Sequence, residues 1–150
     1  MKYIIAFLLL ISPAYADNIM IGFVGRGGQF DHKAFKDYAN KKNLKPVVMY
    51  NDSRLNVINM IVSNPNYELY GYSKGAATVS YLMSIIEQNK MPKPKFVTTV
   101  GAFRSTDVDF RKYNIKFVNY FDDSGKGQKS PGQYVKANHS NIMRYVADNY

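Results

Sequence analysis

The sequence predicts a three-layer α/β sandwich on a mostly parallel sheet of about five strands. Three observations carry this. Short apolar runs alternate with segments in which apolar residues recur every three or four positions. The junctions between them are rich in Gly, Asn, Asp and Pro, which punctuate regular structure. Strands separated by helices pair in parallel through right-handed crossovers, which places helices on both faces of the sheet. The chain has 150 residues, enough for one core of this kind and too few for two.

The first segment reads as an address rather than as part of the core. Met1-Lys2 is a short positive start, Tyr3 to Ser12 is apolar, and Pro13-Ala14-Tyr15-Ala16 ends in a small-x-small cleavage pattern. The expected organisation is therefore a secretory signal peptide over 1–16 and a single domain over 17–150. Such a leader directs the protein to a secreted or periplasmic location.

Asn18 to Val24 is a buried-strand pattern closed by Gly25-Arg26-Gly27-Gly28. Asp31 then caps a helix carrying Phe35, Tyr38 and Ala39 at helical spacing. Pro46 to Tyr50 is a second strand, and Asn51-Asp52-Ser53 caps a second helix with Leu55, Ile58, Met60 and Ile61 as its apolar set. Tyr67 to Gly71 forms a third strand that runs into Tyr72-Ser73-Lys74-Gly75 and a long helix ending near Asn89. In that helix Ala76, Ala77 and Ser80 permit close approach to a sheet, and Leu82, Met83 and Ile86 fill the space beyond. Phe96 to Gly101 and Ile115 to Tyr120 are the fourth and fifth strands. A turn-rich loop covers Asp122 to Gly132, and Ser140 to Asn149 closes the chain as a helix.

Composition removes several chemistries. There is no cysteine, so disulfides, thiol nucleophiles and thiolate metal sites are excluded. With only His32 and His139, no multi-histidine metal centre is expected, and no cofactor is called for. Lys and Arg outnumber Asp and Glu by 20 to 11, a net charge of +9, which favours anionic partners. Lys33, Lys36, Lys41, Lys42 and Lys45 spread along one helix and its exit as a solvated face would. Export makes nucleic acid and soluble nucleotides poor partners. A dinucleotide-binding G-x-G-x-x-G fails at Phe30.

Gly71-Tyr72-Ser73-Lys74-Gly75 fits G-x-S-x-G at a strand-to-helix junction. In that turn the central serine adopts a strained conformation with its hydroxyl projecting clear, and the flanking glycines are needed because a side chain would strike the neighbouring backbone. The helix that follows aims its N-terminal amides at any oxyanion formed there. A serine nucleophile needs a base, and the base needs a partner to fix its tautomer. His139 is the candidate base, with the acids Asp122 and Asp123 upstream. Both loops are expected at the carboxyl edge of the sheet beside Ser73, where open α/β sheets bind ligands.

The G-x-S-x-G turn and the chain order Ser, Asp, His resemble the α/β-hydrolase family in its smaller lipase, cutinase and thioesterase-like members. By that resemblance Ser73 is the nucleophile, His139 the base, and Asp122 or Asp123 the acid. The resemblance also implies an oxyanion hole from the Lys74 amide and one amide of the glycine loop, Arg26 or Gly27, with Gly25, Gly28 and Tyr72 bordering the substrate. At this length no cap domain is expected, so the site is open.

The expected function is an exported serine hydrolase cleaving an ester or thioester through an acyl-enzyme, with anionic lipids or envelope components among the candidate substrates and peripheral membrane contact. The alternatives are a non-catalytic envelope-binding or inhibitory protein on the same scaffold, and a peripheral lipid-binding protein. His32, Arg104 and Asp107 read as solvated loop or helix-end residues. Asn138-His139-Ser140 reads as a coincidental glycosylation match, since a sugar there would obstruct the base.

Overall fold

The computed structural model describes residues 18–50, 54–103, 105–124 and 131–150; the expected leader and the helix cap expected at residues 51–53 lie outside them. Six strands form one sheet: β1 Ile19–Phe23, β2 Lys45–Met49, β3 Tyr67–Tyr72, β4 Phe96–Val100, β5 Lys116–Phe121 and β6 Gln133–Tyr134. Their spatial order is β2-β1-β3-β4-β5-β6, and every neighbouring pair is parallel. The helices are α1 His32–Lys41, α2 Arg54–Ser63, α3 Lys74–Gln88 and α4 Ile142–Asn149.

Side-chain alternation divides the core into two layers. Ile19, Ile21 and Phe23 of β1 and Leu69 of β3 pack with Val57 and Ile61 of α2 and Val79, Met83 and Ile86 of α3. Met20, Tyr70 and Tyr72 point the other way, to Phe35 and Tyr38 of α1 and Ile142 and Val146 of α4. Burial on both faces explains why β1 reads as an unbroken apolar run. β2 carries Pro46 and is the half-buried edge strand, where a missing N–H is tolerated.

The register aligns the strand ends that matter for function. Phe23 pairs with Gly71, Tyr72 with Val100, and Val100 with Tyr120. The loops after β1, β3, β4 and β5 therefore leave from one edge. Asp31 caps α1 as its sequence position predicts, accepting the Ala34 amide at 3.0 Å.

Three features differ from the sequence expectation. A sixth strand, β6, pairs Gln133 with Tyr120 and Tyr134 with Phe121; two residues are too few to show a period. In α2, Val57 and Ile61 are buried, whereas Leu55 is 66% exposed. The helix is apolar on most sides, so its periodicity does not say which side faces the sheet. The lysine face is partly engaged: the Lys41 Nζ donates to the Ala147 carbonyl, and Lys42 lies 3.7 Å from Glu68.

Candidate active site

The turn from β3 into α3 is built by two glycines that allow backbone to meet backbone. A Cβ at Gly71 would stand 2.6 Å from the Gly75 carbonyl oxygen, and one at Gly75 would stand 2.1 Å from that of Phe23. Real Cβ atoms do not approach so closely, so both positions require glycine. Between them Ser73 is held at φ 55°, ψ −119°, a strained combination for a residue with a side chain.

Serine is a favoured helix N-cap, yet the Ser73 side chain makes no capping bond. Its hydroxyl lies 3.0 Å from Nε2 of His139. The His139 Nδ1 lies 3.3 Å from Oδ2 of Asp122. Asp122 is only 3% exposed, and a carboxylate that deep needs donors. It finds them in the Ser124 amide at 2.8 Å, the Ser124 hydroxyl and His139. An ionised Asp122 places the imidazole proton on Nδ1 and leaves Nε2 to accept from the Ser73 hydroxyl.

Asp123 faces elsewhere. Its carboxylate accepts the Tyr134 hydroxyl, and its amide donates to the Ala137 carbonyl. That hydrogen bond also pushes the Tyr134 phenol above its ordinary range.

The glycine loop closes over Ser73 from the β1 side. It forms a 3₁₀ turn, Arg26–Gly28. A Cβ at Gly25 would stand 3.3 Å from the Ser73 Cβ and 3.3 Å from a ring carbon of Tyr72. The Ser73 amide is already bonded to the Val100 carbonyl at 2.9 Å. The Lys74 amide, first in α3, has no intrahelical acceptor by virtue of its position.

Beside the serine a cleft of about 590 Å³ is lined by Phe30, Tyr72 and Met143 and by the polar residues Gln29, Asn138 and Ser140. Asp31 and His139 also border it. Gly25 and Gly28 are not among these lining residues. Among the described residues no group of acids and histidines is placed to hold a metal ion.

The remaining candidates separate from this edge chemistry. His32 is exposed, with its ring stacked on Tyr50 and its Nε2 hydrogen-bonded to the Tyr50 hydroxyl. Asp107 pairs with Lys112 at 2.8 Å, whose donated bond holds the Asp107 carboxyl below its usual range; Arg104 lies outside the described residues. Asn138 binds the amides of Ser140 and Asn141 and receives support in return, its own amide donating to the Asn141 side chain at 2.9 Å. It shapes the turn that carries His139.

Sequence reasoning missed two residues at the site. Gly101, which closes β4, has φ +63°, and a Cβ there would come within 3.1 Å of His139 Nδ1. Ser124 is one of many polar residues in its loop; its place two residues after Asp122 is the available signal, because an aspartate commonly accepts from the amide two positions on.

An all-parallel sheet with a strained serine hydrogen-bonded to a histidine at its carboxyl edge defines the class of α/β-hydrolase-like serine hydrolases. The serine hydrolase (FSH1) family model matches residues 18–129, and the chain belongs to that family. The match includes Ser73 and Asp122 and ends before His139. No curated protein matches the chain in sequence. In fold it is similar to the RedJ thioesterase of the prodiginine biosynthetic pathway in Streptomyces coelicolor, with TM-score 0.54, 12% identity, and coverage of 91% of this chain and 87% of that one. It is similar also to human thioesterase 2, with TM-score 0.51, 10% identity, and coverage of 89% and 95% respectively.

Proposed function

We propose that this protein is a serine esterase or thioesterase working through an acyl-enzyme, with Ser73 as nucleophile, His139 as base and Asp122 as the acid that orients it. The observation that carries this is the 3.0 Å contact from the Ser73 hydroxyl to His139 Nε2, with Asp122 on the other ring nitrogen. Ser73 Oγ attacks the substrate carbonyl carbon as its proton passes to Nε2. The tetrahedral oxyanion is held by the Lys74 amide and by the amide of Arg26 or Gly27 in the loop packed on Ser73. Collapse breaks the bond to the alcohol or thiol, which leaves with the proton from Nε2. Water, deprotonated by the same nitrogen, then releases the acid and restores the serine.

Asp122 is preferred over Asp123 because only its carboxylate reaches the ring. An ester or thioester substrate accords with the thioesterases to which the fold is similar. We propose further that residues 1–16 direct export, and that the net positive charge of the remaining chain, +8 once Lys2 is gone, favours a substrate presented at an anionic lipid or envelope surface.

A fluorophosphonate probe tests the chemistry directly. It should label the wild type at Ser73, and Ser73→Ala should abolish labelling while leaving the thermal transition in place. A folded wild type that resists the probe and turns over no p-nitrophenyl ester would overturn the catalytic assignment. Sequencing the amino terminus of the protein recovered after expression in a secretion-competent host tests export; a start at Asp17 is expected.

A further inference from the structure

We propose that Tyr72 is a positioning residue that clamps the His139 imidazole against the Ser73 hydroxyl, an inference that rests on the acyl-transfer assignment above. Tyr72 grips His139 twice. Its ring stacks on the imidazole with centroids 5.2 Å apart and planes 22° from parallel. Its hydroxyl donates to the His139 backbone carbonyl at 2.7 Å.

The grip matters because of where each partner sits. His139 belongs to the turn between β6 and α4, and its side chain is 38% exposed. Apart from Tyr72, the imidazole has the 3.3 Å contact with Asp122, the Ser73 hydroxyl itself and the backbone of Gly101. The rest of the ring is open to solvent, and the Tyr72 ring covers one of its two faces. Tyr72, by contrast, is 6% exposed at the end of a strand flanked on both sides by others. Phe30 packs against its ring, with centroids 6.4 Å apart.

Tyr72 and Ser73 are consecutive, so one rigid strand end carries both the nucleophile and the clamp on its base. The separation of oxygen and nitrogen is thereby referred to a single element rather than to two loops. A misplacement of about 1 Å between such groups costs on the order of a hundredfold in rate. Burial, then the charge of Asp122, pushes the Tyr72 phenol above its ordinary range, so it remains a donor to the carbonyl at neutral pH.

Tyr72 also borders the cleft, so a substrate-lining role must be separated from positioning. Tyr72→Phe keeps the stack and loses the hydrogen bond; Tyr72→Leu loses both. The experiment measures p-nitrophenyl acetate and p-nitrophenyl octanoate hydrolysis and proton NMR of the full-length wild type and both variants. Tyr72→Phe should lower kcat about tenfold, and Tyr72→Leu about a hundredfold. Within each variant the factor should be the same for both esters, with KM within about twofold of wild type.

The chain has two histidines; because the His32 ring is itself stacked on Tyr50, the histidine ring-proton shifts of the urea-unfolded chain serve as the reference, and His32→Gln assigns the two sets of signals. Wild type and Tyr72→Phe should show the His139 ring protons displaced upfield by the stacked phenyl face, and Tyr72→Leu should return them toward the unfolded-chain value. Unchanged kcat in both variants, or losses confined to KM and scaling with acyl length, would overturn the proposal. A wild type inactive on every ester would instead sink the catalytic assignment. The NMR comparison still decides the clamp in that case, because ring protons unmoved by Tyr72→Leu exclude it. If Tyr72→Leu fails to fold, Tyr72→Phe carries the kinetic test.

Discussion

Gly101 lies directly against His139: a Cβ on this residue would come within 3.1 Å of the imidazole Nδ1 and 3.2 Å of Cε1. The glycine also has φ +63°, where an L side chain costs about 1 kcal/mol or more. One position thus satisfies a backbone demand at the end of β4 and a space demand at the proposed base. Gly101→Ala is expected to lower Tm by a few degrees and to lower kcat at least tenfold, since the added methyl displaces the ring. Thermal unfolding and ester hydrolysis measured on the same preparation check both halves.

The two neighbouring aspartates make a sharp comparison. Asp122→Asn should reduce kcat by roughly 10³- to 10⁴-fold, because an amide no longer holds the imidazole in the tautomer that accepts from serine. Asp123→Asn, whose carboxylate meets the Tyr134 hydroxyl instead, should stay within about threefold of wild type. Steady-state hydrolysis of one ester by both variants decides it, and equal losses would remove the assignment to Asp122.

Close approach and backbone angle can be told apart among the glycines. Gly75→Ala puts a methyl 2.1 Å from a carbonyl oxygen of β1, and neither backbone can withdraw without parting the sheet from α3. No soluble folded protein is expected. Gly28→Ala has open space around its Cβ but φ +79°, so it should fold with a loss of about 1 kcal/mol. Circular dichroism melts of the two distinguish these outcomes.

Glu68 gives a pH test of stability. Burial raises its carboxyl above the ordinary value, with Lys42 opposing at 3.7 Å. A raised folded value means that the native protein holds this proton more tightly than the unfolded chain does. Stability from this group is therefore gained as pH falls through the raised value toward the ordinary one, and is absent at pH 7, where the buried charge is a cost. Glu68→Gln should raise Tm at pH 7, and its advantage should shrink as the medium is acidified. An advantage that is constant with pH would exclude the linkage.

Much of this protein was readable along the chain. β1, β3 and β4 are short, mostly apolar runs bounded by turn residues, as burial on two faces favours, with Glu68 in β3 and Thr98 and Thr99 in β4 as the polar exceptions. The strained serine was readable because the Gly-x-Ser-x-Gly spacing marks the turn; the clash that requires Gly71 lies within that turn, whereas the one that requires Gly75 is with Phe23 of β1. The exceptions share a cause. β6 is two residues long and exists only because β5 offers an unpaired edge, and α2 is apolar on so many sides that only the sheet beneath it selects Val57 and Ile61.

The local physics of one turn, together with the alternation of strand and helix, determined the fold class, the position of Ser73 and the pool of acids and bases. Which acid meets the histidine, what holds the ring and where the space for it comes from were decided only in three dimensions. Asp122 and Asp123 are chemically identical neighbours, and Tyr72 and Gly101 lie 67 and 38 residues from His139 along the chain. Contacts at such separations are set by sheet register and loop path, which no local pattern of residues encodes.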